Sequence, residues 1–169
     1  MAYTSAQANK LLKKLNDEHA ALLDKETRSK DFRAAMGEDV ESVRPVYDYA
    51  DTQKKLAELE QRIRKVKHAI NVFNATHVIP EFGMTIDEML VYIPQLTQRK
   101  NKLADMKARL PKQRVEEQYG RQSNIIDYSY ANYDLAAVEA DYEKVSDELS
   151  RAQLALDAVN QRDTFELTE

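Results

Sequence analysis

The sequence predicts a mainly α-helical fold: an up-down, coiled-coil-like assembly of four long helices with a small two-stranded β element. Three observations predict it. Two long stretches place apolar side chains in unbroken heptads. Only three glycines and four prolines interrupt 169 residues, which favours long elements over a loop-rich chain. And Ile and Tyr alternate with polar residues over one short run, Ile126 to Tyr130, a pattern that suits a half-buried strand.

The first helix is expected over roughly residues 5–35, with Leu11, Leu12, Leu15, Leu22 and Leu23 on one stripe and Gly37 placed as its left-handed C-terminal cap. The second runs from about Asp48 to Thr76. Its seam is Tyr49, Thr52, Leu56, Leu59, Ile63, Val66, Ile70 and Phe73. These alternate in steps of three and four, the spacing that keeps one stripe against a partner helix. Residues 77–85 connect it to a third helix, where Thr85-Ile86-Asp87-Glu88 reads as a capping box. That helix carries Ile86, Met89, Ile93, Leu96, Leu103, Met106 and Leu110. Pro94 lacks a backbone donor, so a kink or break is expected near Ile93. Pro111 ends the regular part, with a looser continuation to Gly120. The fourth helix spans about Asp134 to Asn160 on a second seam, Leu135, Val138, Tyr142, Val145, Leu149, Ala152, Leu156 and Val159.

One offset relates the two seams. Adding 86 to every seam position of the second helix gives the seam of the fourth, and carries Tyr47-Asp48 onto Tyr133-Asp134 and Asn74 onto Asn160. A single elongated domain over 1–169 is therefore expected to hold a helix–strand–helix unit twice, about 5–77 and about 85–162. The segment DVESVRPVY before the second helix then becomes a second short strand, paired with residues 125–131.

Ile70-Asn71-Val72-Phe73-Asn74-Ala75-Thr76, the capped stretch Gly83 to Met89, and Val138, Val145 to Leu149 and Asn160 resemble a bacterial family of helical proteins labelled septicolysin-like. The resemblance covers a little over half of the chain and rests on helix and cap residues. It implies the helical fold and no established activity. The label suggests a cytolysin, but no helix shows the continuous apolar face that membrane insertion requires.

Composition narrows function mostly by exclusion. With no cysteine, disulfides and thiolate chemistry are ruled out, consistent with a reducing compartment. The N-terminal stretch turns charged too early for a secretory signal, and the longest apolar run, Met89 to Ile93, is far short of a membrane span. A cytoplasmic protein is expected. His19, His68 and His77 lack the Glu-x-x-His spacing of a carboxylate-bridged metal site, and Gly37, Gly83 and Gly120 form no phosphate loop or nucleophile elbow. No catalytic residue, cofactor or metal is assigned, and the chain reads as non-enzymatic.

Charge is the most suggestive feature. Residues 91–121 hold eight Lys/Arg against Asp105, Glu116 and Glu117, while 134–169 hold ten Asp/Glu against Lys144, Arg151 and Arg162. The basic segment can flank the acidic helix, or Arg99, Lys102, Lys107 and Arg109 can form a face for nucleic acid. The first reading needs no unseen partner and is preferred. Asn71, Asn74 and Asn160 sit near helix ends, as caps or as a polar pocket. Tyr47, Tyr49, Tyr119, Tyr128, Tyr130, Tyr133 and Tyr142 gather around the proposed strands, where stiff amphipathic rings suit an interface or, as the preferred role, a strand packed on helix ends. The leading expectation is a structural or interaction protein that forms a homo-oligomer, with nucleic-acid binding through residues 99–114 as the alternative.

Overall fold

The computed structural model describes residues 1–115 and 126–167. Tyr119, Gly120, Arg121, Glu116 and Glu117 lie outside the described residues. Four long helices dominate, in the order β1 (Ala2–Thr4), α1 (Ser5–Ser29), α2 (Val40–Val43), α3 (Tyr49–Thr76), β2 (Val78–Ile79), β3 (Met84–Thr85), α4 (Ile86–Lys107), β4 (Lys112–Arg114), β5 (Tyr128–Tyr130), α5 (Leu135–Arg162) and β6 (Thr164–Glu166). The expectation of a mainly α fold with a small β element holds. The chain divides into two compact units, residues 1–77 with 158–169, and residues 78–157.

In the first unit α1 and α3 pack antiparallel. Thr4 opens α1 with a capping box, its hydroxyl accepting from the Gln7 amide while Gln7 Oε1 accepts from the Thr4 amide, which satisfies two otherwise orphan donors. Asp48 caps α3 by accepting from the Asp51 amide. The core is Ala8, Leu15, Val66, Ile70 and Leu167, with Tyr3, Leu11, Leu12, Leu59, Ile63 and Phe165 partly buried against it. Leu59 and Ile63, expected to be buried at mid-seam, are only half-buried, while Leu56, Val66, Ile70 and Phe73 on the same seam are buried. Tyr49, at the head of the seam, is 67% exposed.

β6 returns from α5 to pair antiparallel with β1, Ala2 opposite Glu166 and Thr4 opposite Thr164. Leu167 continues this path into the core.

In the second unit β2 and β3 form a tight hairpin, Val78 opposite Thr85. The Gly83 amide donates to the Ile79 carbonyl, and Gly83 has φ +62°, a left-handed conformation that glycine adopts without penalty. Thr85 and Glu88 form the expected capping box. Among the described residues of this unit, Ile79, Ile86, Met89, Leu96, Leu103, Val138, Val145, Leu149 and Ala152 are the buried apolar ones. α4 and α5 run antiparallel, shown by contacts from Tyr92 to Glu148 and from Lys107 to Glu139.

Several expectations are corrected. α1 ends at Ser29 with Lys30 as its cap, so Gly37 (φ +87°) belongs to a separate turn where the Glu38 amide donates to Ala35. Pro94 lies inside α4 without interrupting it. Its missing bond would have gone to the carbonyl of Leu90, whose residue is 48% exposed, and a carbonyl on the wet side finds water instead. The segment before α3 is not a strand. Asp39 accepts from the Glu41 amide and starts the single turn α2, with Arg44 paired to Glu41. Strand β5 therefore does not pair with residues 40–46. It pairs with β4, Lys112 opposite Tyr130 and Arg114 opposite Tyr128.

Candidate functional site

The basic segment and the acidic helix meet inside the second unit. Lys107, on the last turn of α4, places Nζ 3.0 Å from Glu139 and 3.6 Å from Glu143, one turn apart on α5. The bond to Glu139 raises the Lys107 pKa, with Glu143 adding to it. The same ammonium lies 5.0 Å from the centre of the Tyr142 ring, and Lys100 lies 5.8 Å from it, so two cations are within reach of one aromatic ring. Further along the pair of helices, the Tyr92 hydroxyl donates to Glu148, which pushes its pKa up.

The four residues of the expected nucleic-acid face are not brought together. Arg99 and Lys102 are exposed, but Lys102 and Lys107 are five residues apart and therefore lie about 140° apart around the helix. Lys107 is held by two carboxylates. Arg109 lies beyond the Ala108 cap, off the helix.

The described cations that do share a face lie past Pro111. Residues at alternate strand positions point to one side of a sheet, so Lys112, Arg114, Tyr128 and Tyr130 line one face of the β4–β5 ribbon. Lys112 Nζ sits 4.1 Å from the Tyr128 ring centre and 5.5 Å from that of Tyr130. The ladder is extended by the Val115 amide donating to Asp127 and the Ala131 amide to Pro111. Every strand residue of the ribbon is exposed, and Leu110 (61%), Ile126 (55%) and Tyr130 (63%) are conspicuous apolar surface around it. Lys-Gln-Arg carries no apolar alternation, so β4 was invisible in the sequence, whereas Tyr128 to Tyr130 was legible.

The asparagines are not caps. His77 caps α3, three residues after Asn74, and α5 continues past Asn160 to Arg162. Asn71 is exposed, whereas Asn74 Oδ1 is buried and lacks a hydrogen-bond partner. The pole of the first unit is instead organised by His77, whose Nε2 is 2.6 Å from Asp163 Oδ2. Phe73 stacks between the His77 ring and Phe165, both 4.6 Å away. Sequence reading missed this pair, although the offset of 86 that aligns the seams also carries His77 onto Asp163. His19 faces Glu60 at 3.4 Å, and His68 is exposed. Among the described residues no three His, Asp or Glu groups gather as a metal site.

Near the other end of α1, Glu26 accepts from the Tyr47 hydroxyl and from Gln53, each at 2.7 Å, and holds the Tyr47 pKa up at about 12. The adjoining cleft, about 160 Å³ and bordered by Lys25, Asp48 and Asp51, is well below the ~300 Å³ of ordinary ligand pockets. Tyr133 makes the parallel arrangement before α5, donating to the Met106 carbonyl, while Asp134 accepts from the Ala136 amide.

Comparison with known proteins bears on the fold. The chain superposes with a TM-score of 0.59 on the crystal structure of a functionally unknown conserved protein from Corynebacterium diphtheriae, at 17% identity over 98% of this chain and 100% of that one. At that identity the likeness shows a shared fold. No family model and no curated protein matches the chain. Among the described residues no helix is long and apolar enough to cross a membrane.

Proposed function

We propose that this chain is a non-enzymatic structural or interaction protein of the cytoplasm that self-associates, with the β4–β5 ribbon as the contact surface. The observation that carries this reading is the ribbon's incompleteness. An isolated two-stranded ribbon is marginal in water. Here, among the described residues, neither strand has a second neighbour, and Leu110, Val115 and Ile126 are exposed beside the open edges. Pairing with the same edge of a second copy satisfies those backbone groups and covers that apolar surface in one symmetric contact. Light scattering at tens of micromolar tests it: a dimer mass is expected, reduced to a monomer by Ile126→Lys. A monomer mass for the unaltered chain refutes it.

The same reading includes an internal duplication. It is supported by the two capping boxes at Thr4 and Thr85, by β2 and β6 each following a long helix, and by the matched Tyr47-Asp48 and Tyr133-Asp134 anchors. The septicolysin-like resemblance agrees with such a helical protein and adds no activity to it. Nucleic-acid binding by the helical face of Arg99, Lys102, Lys107 and Arg109 is the weaker reading, because Glu139 and Glu143 already neutralise Lys107.

A further inference from the structure

We propose that the face of the β4–β5 ribbon is a stacking platform for single-stranded nucleic acid, a site distinct from the helical face of α4. Self-association is argued from the open strand edges and this site from the rings and cations of the face, so the proposal goes beyond that reading.

Tyr128 and Tyr130 are two residues apart on one strand and 46% and 63% exposed, so their rings stand about 7 Å apart on the same side. That is about twice the ~3.4 Å separation of stacked bases in a duplex. Two neighbouring bases can therefore each take a ring only when the strand is unpaired and pulled open. A duplex offers these rings no base face.

The cross-strand partners on that same face are both cations, Lys112 and Arg114. Lys112 Nζ lies over both rings, 4.1 Å and 5.5 Å from their centres, so an incoming base displaces this exposed, flexible ammonium from the ring face and leaves it free to pair with the phosphate joining the two bases. Charge complementarity extends outward: residues 99–114 contain seven Lys/Arg and one acidic residue, Asp105. Asp127 belongs to the opposite face by the same alternation. Aromatic rings with interleaved cations are the means by which single strands are held without sequence preference.

The test is a fluorescence-anisotropy titration of the full chain against a labelled oligopyrimidine, its duplex and an unstructured sulfated polysaccharide, at about 50 and 200 mM salt. The single strand is expected to bind several-fold tighter than the duplex. Tyr128→Ala with Tyr130→Ala should weaken it about tenfold or more, while Tyr128→Phe with Tyr130→Phe, which keeps both rings, should not. Lys112→Gln with Arg114→Gln should lower the salt slope by about 1.4, two charges at ~0.7 each. All four side chains are exposed, and an unchanged melting curve for each variant separates lost binding from lost folding. Equal affinity for all three polyanions, alanine variants that bind like the unaltered chain, or no saturation by about 100 μM protein at the lower salt would each overturn the proposal.

Discussion

Replacing Leu149 by alanine removes three carbons from a side chain that is 7% exposed on the inner stripe of α5, whereas the same change at Leu154, five residues on, acts on a side chain that is 70% exposed. At about 0.8 kcal/mol per buried CH₂, the transfer loss at Leu149 is about 2.4 kcal/mol. The space left behind adds to it, for a total of about 3 kcal/mol. At Leu154 under a third of that area is buried, and alanine's better helix propensity offsets part of the loss, leaving about half a kcal/mol or less. Urea unfolding followed by helical circular dichroism, at one fixed protein concentration, reads both values from the midpoint shift at constant slope. A loss below about 0.5 kcal/mol at Leu149, or equal losses at the two sites, would show that the heptad stripe of α5 is not a packed core.

Three other outcomes follow from named contacts. Tyr47 is pushed up to about 12 by Glu26; because its folded pKa lies above its unfolded value of ~10, the stabilisation is present below pH 10 and is lost as pH rises from 10 to 12. Ultraviolet titration should show a late-ionising tyrosine that Tyr47→Phe removes. Gly83→Ala should cost about 1–2 kcal/mol from backbone strain alone, since a β-carbon there meets nothing within 4 Å; Gly83→Asn should recover part of it in thermal melts. Leu167, 5% exposed in the core with Leu15 and Ile70, should cost about 2–4 kcal/mol on change to alanine, and a loss no larger than that of Leu154→Ala would mean that the C-terminal strand is not docked.

The long elements were legible because heptads, Asp48, Asp134 and the Thr85–Glu88 box act locally, within one or two turns of chain. What failed was pairing. β5 could be read from alternating Tyr and Ser, yet its partner is the all-polar Lys112–Arg114, chosen by proximity in the α4–α5 connection and not by any pattern of its own. The offset of 86 aligns residues 40–46 with β5 and so suggests a strand, but Asp39 supplies a helix cap there and Pro45 removes a ladder donor. Buried-or-exposed status also escaped the pattern at the seam ends. A heptad names the stripe that faces a partner, not how far along the partner continues to cover it, which is why Tyr49 is wet and Thr52 is dry. For the candidate site, the sequence points to Arg99, Lys102, Lys107 and Arg109 and puts Lys112 and Arg114 in a looser continuation past Pro111; only the strand pairing brings those two beside the tyrosines.

The β1–β6 pair has a mechanical consequence. Ala2 lies opposite Glu166 and Thr4 opposite Thr164, so both chain ends leave the ladder on the same side. A pulling force applied through the two ends would load its hydrogen bonds one after another, as in opening a zip, and never all at once as in shear. Under tension the strand pair should peel open at low force before either pair of long helices extends. The Leu167 side chain would then be drawn out of the core it shares with Leu15, Val66 and Ile70, so that the first unit loses part of its packing through the same small motion.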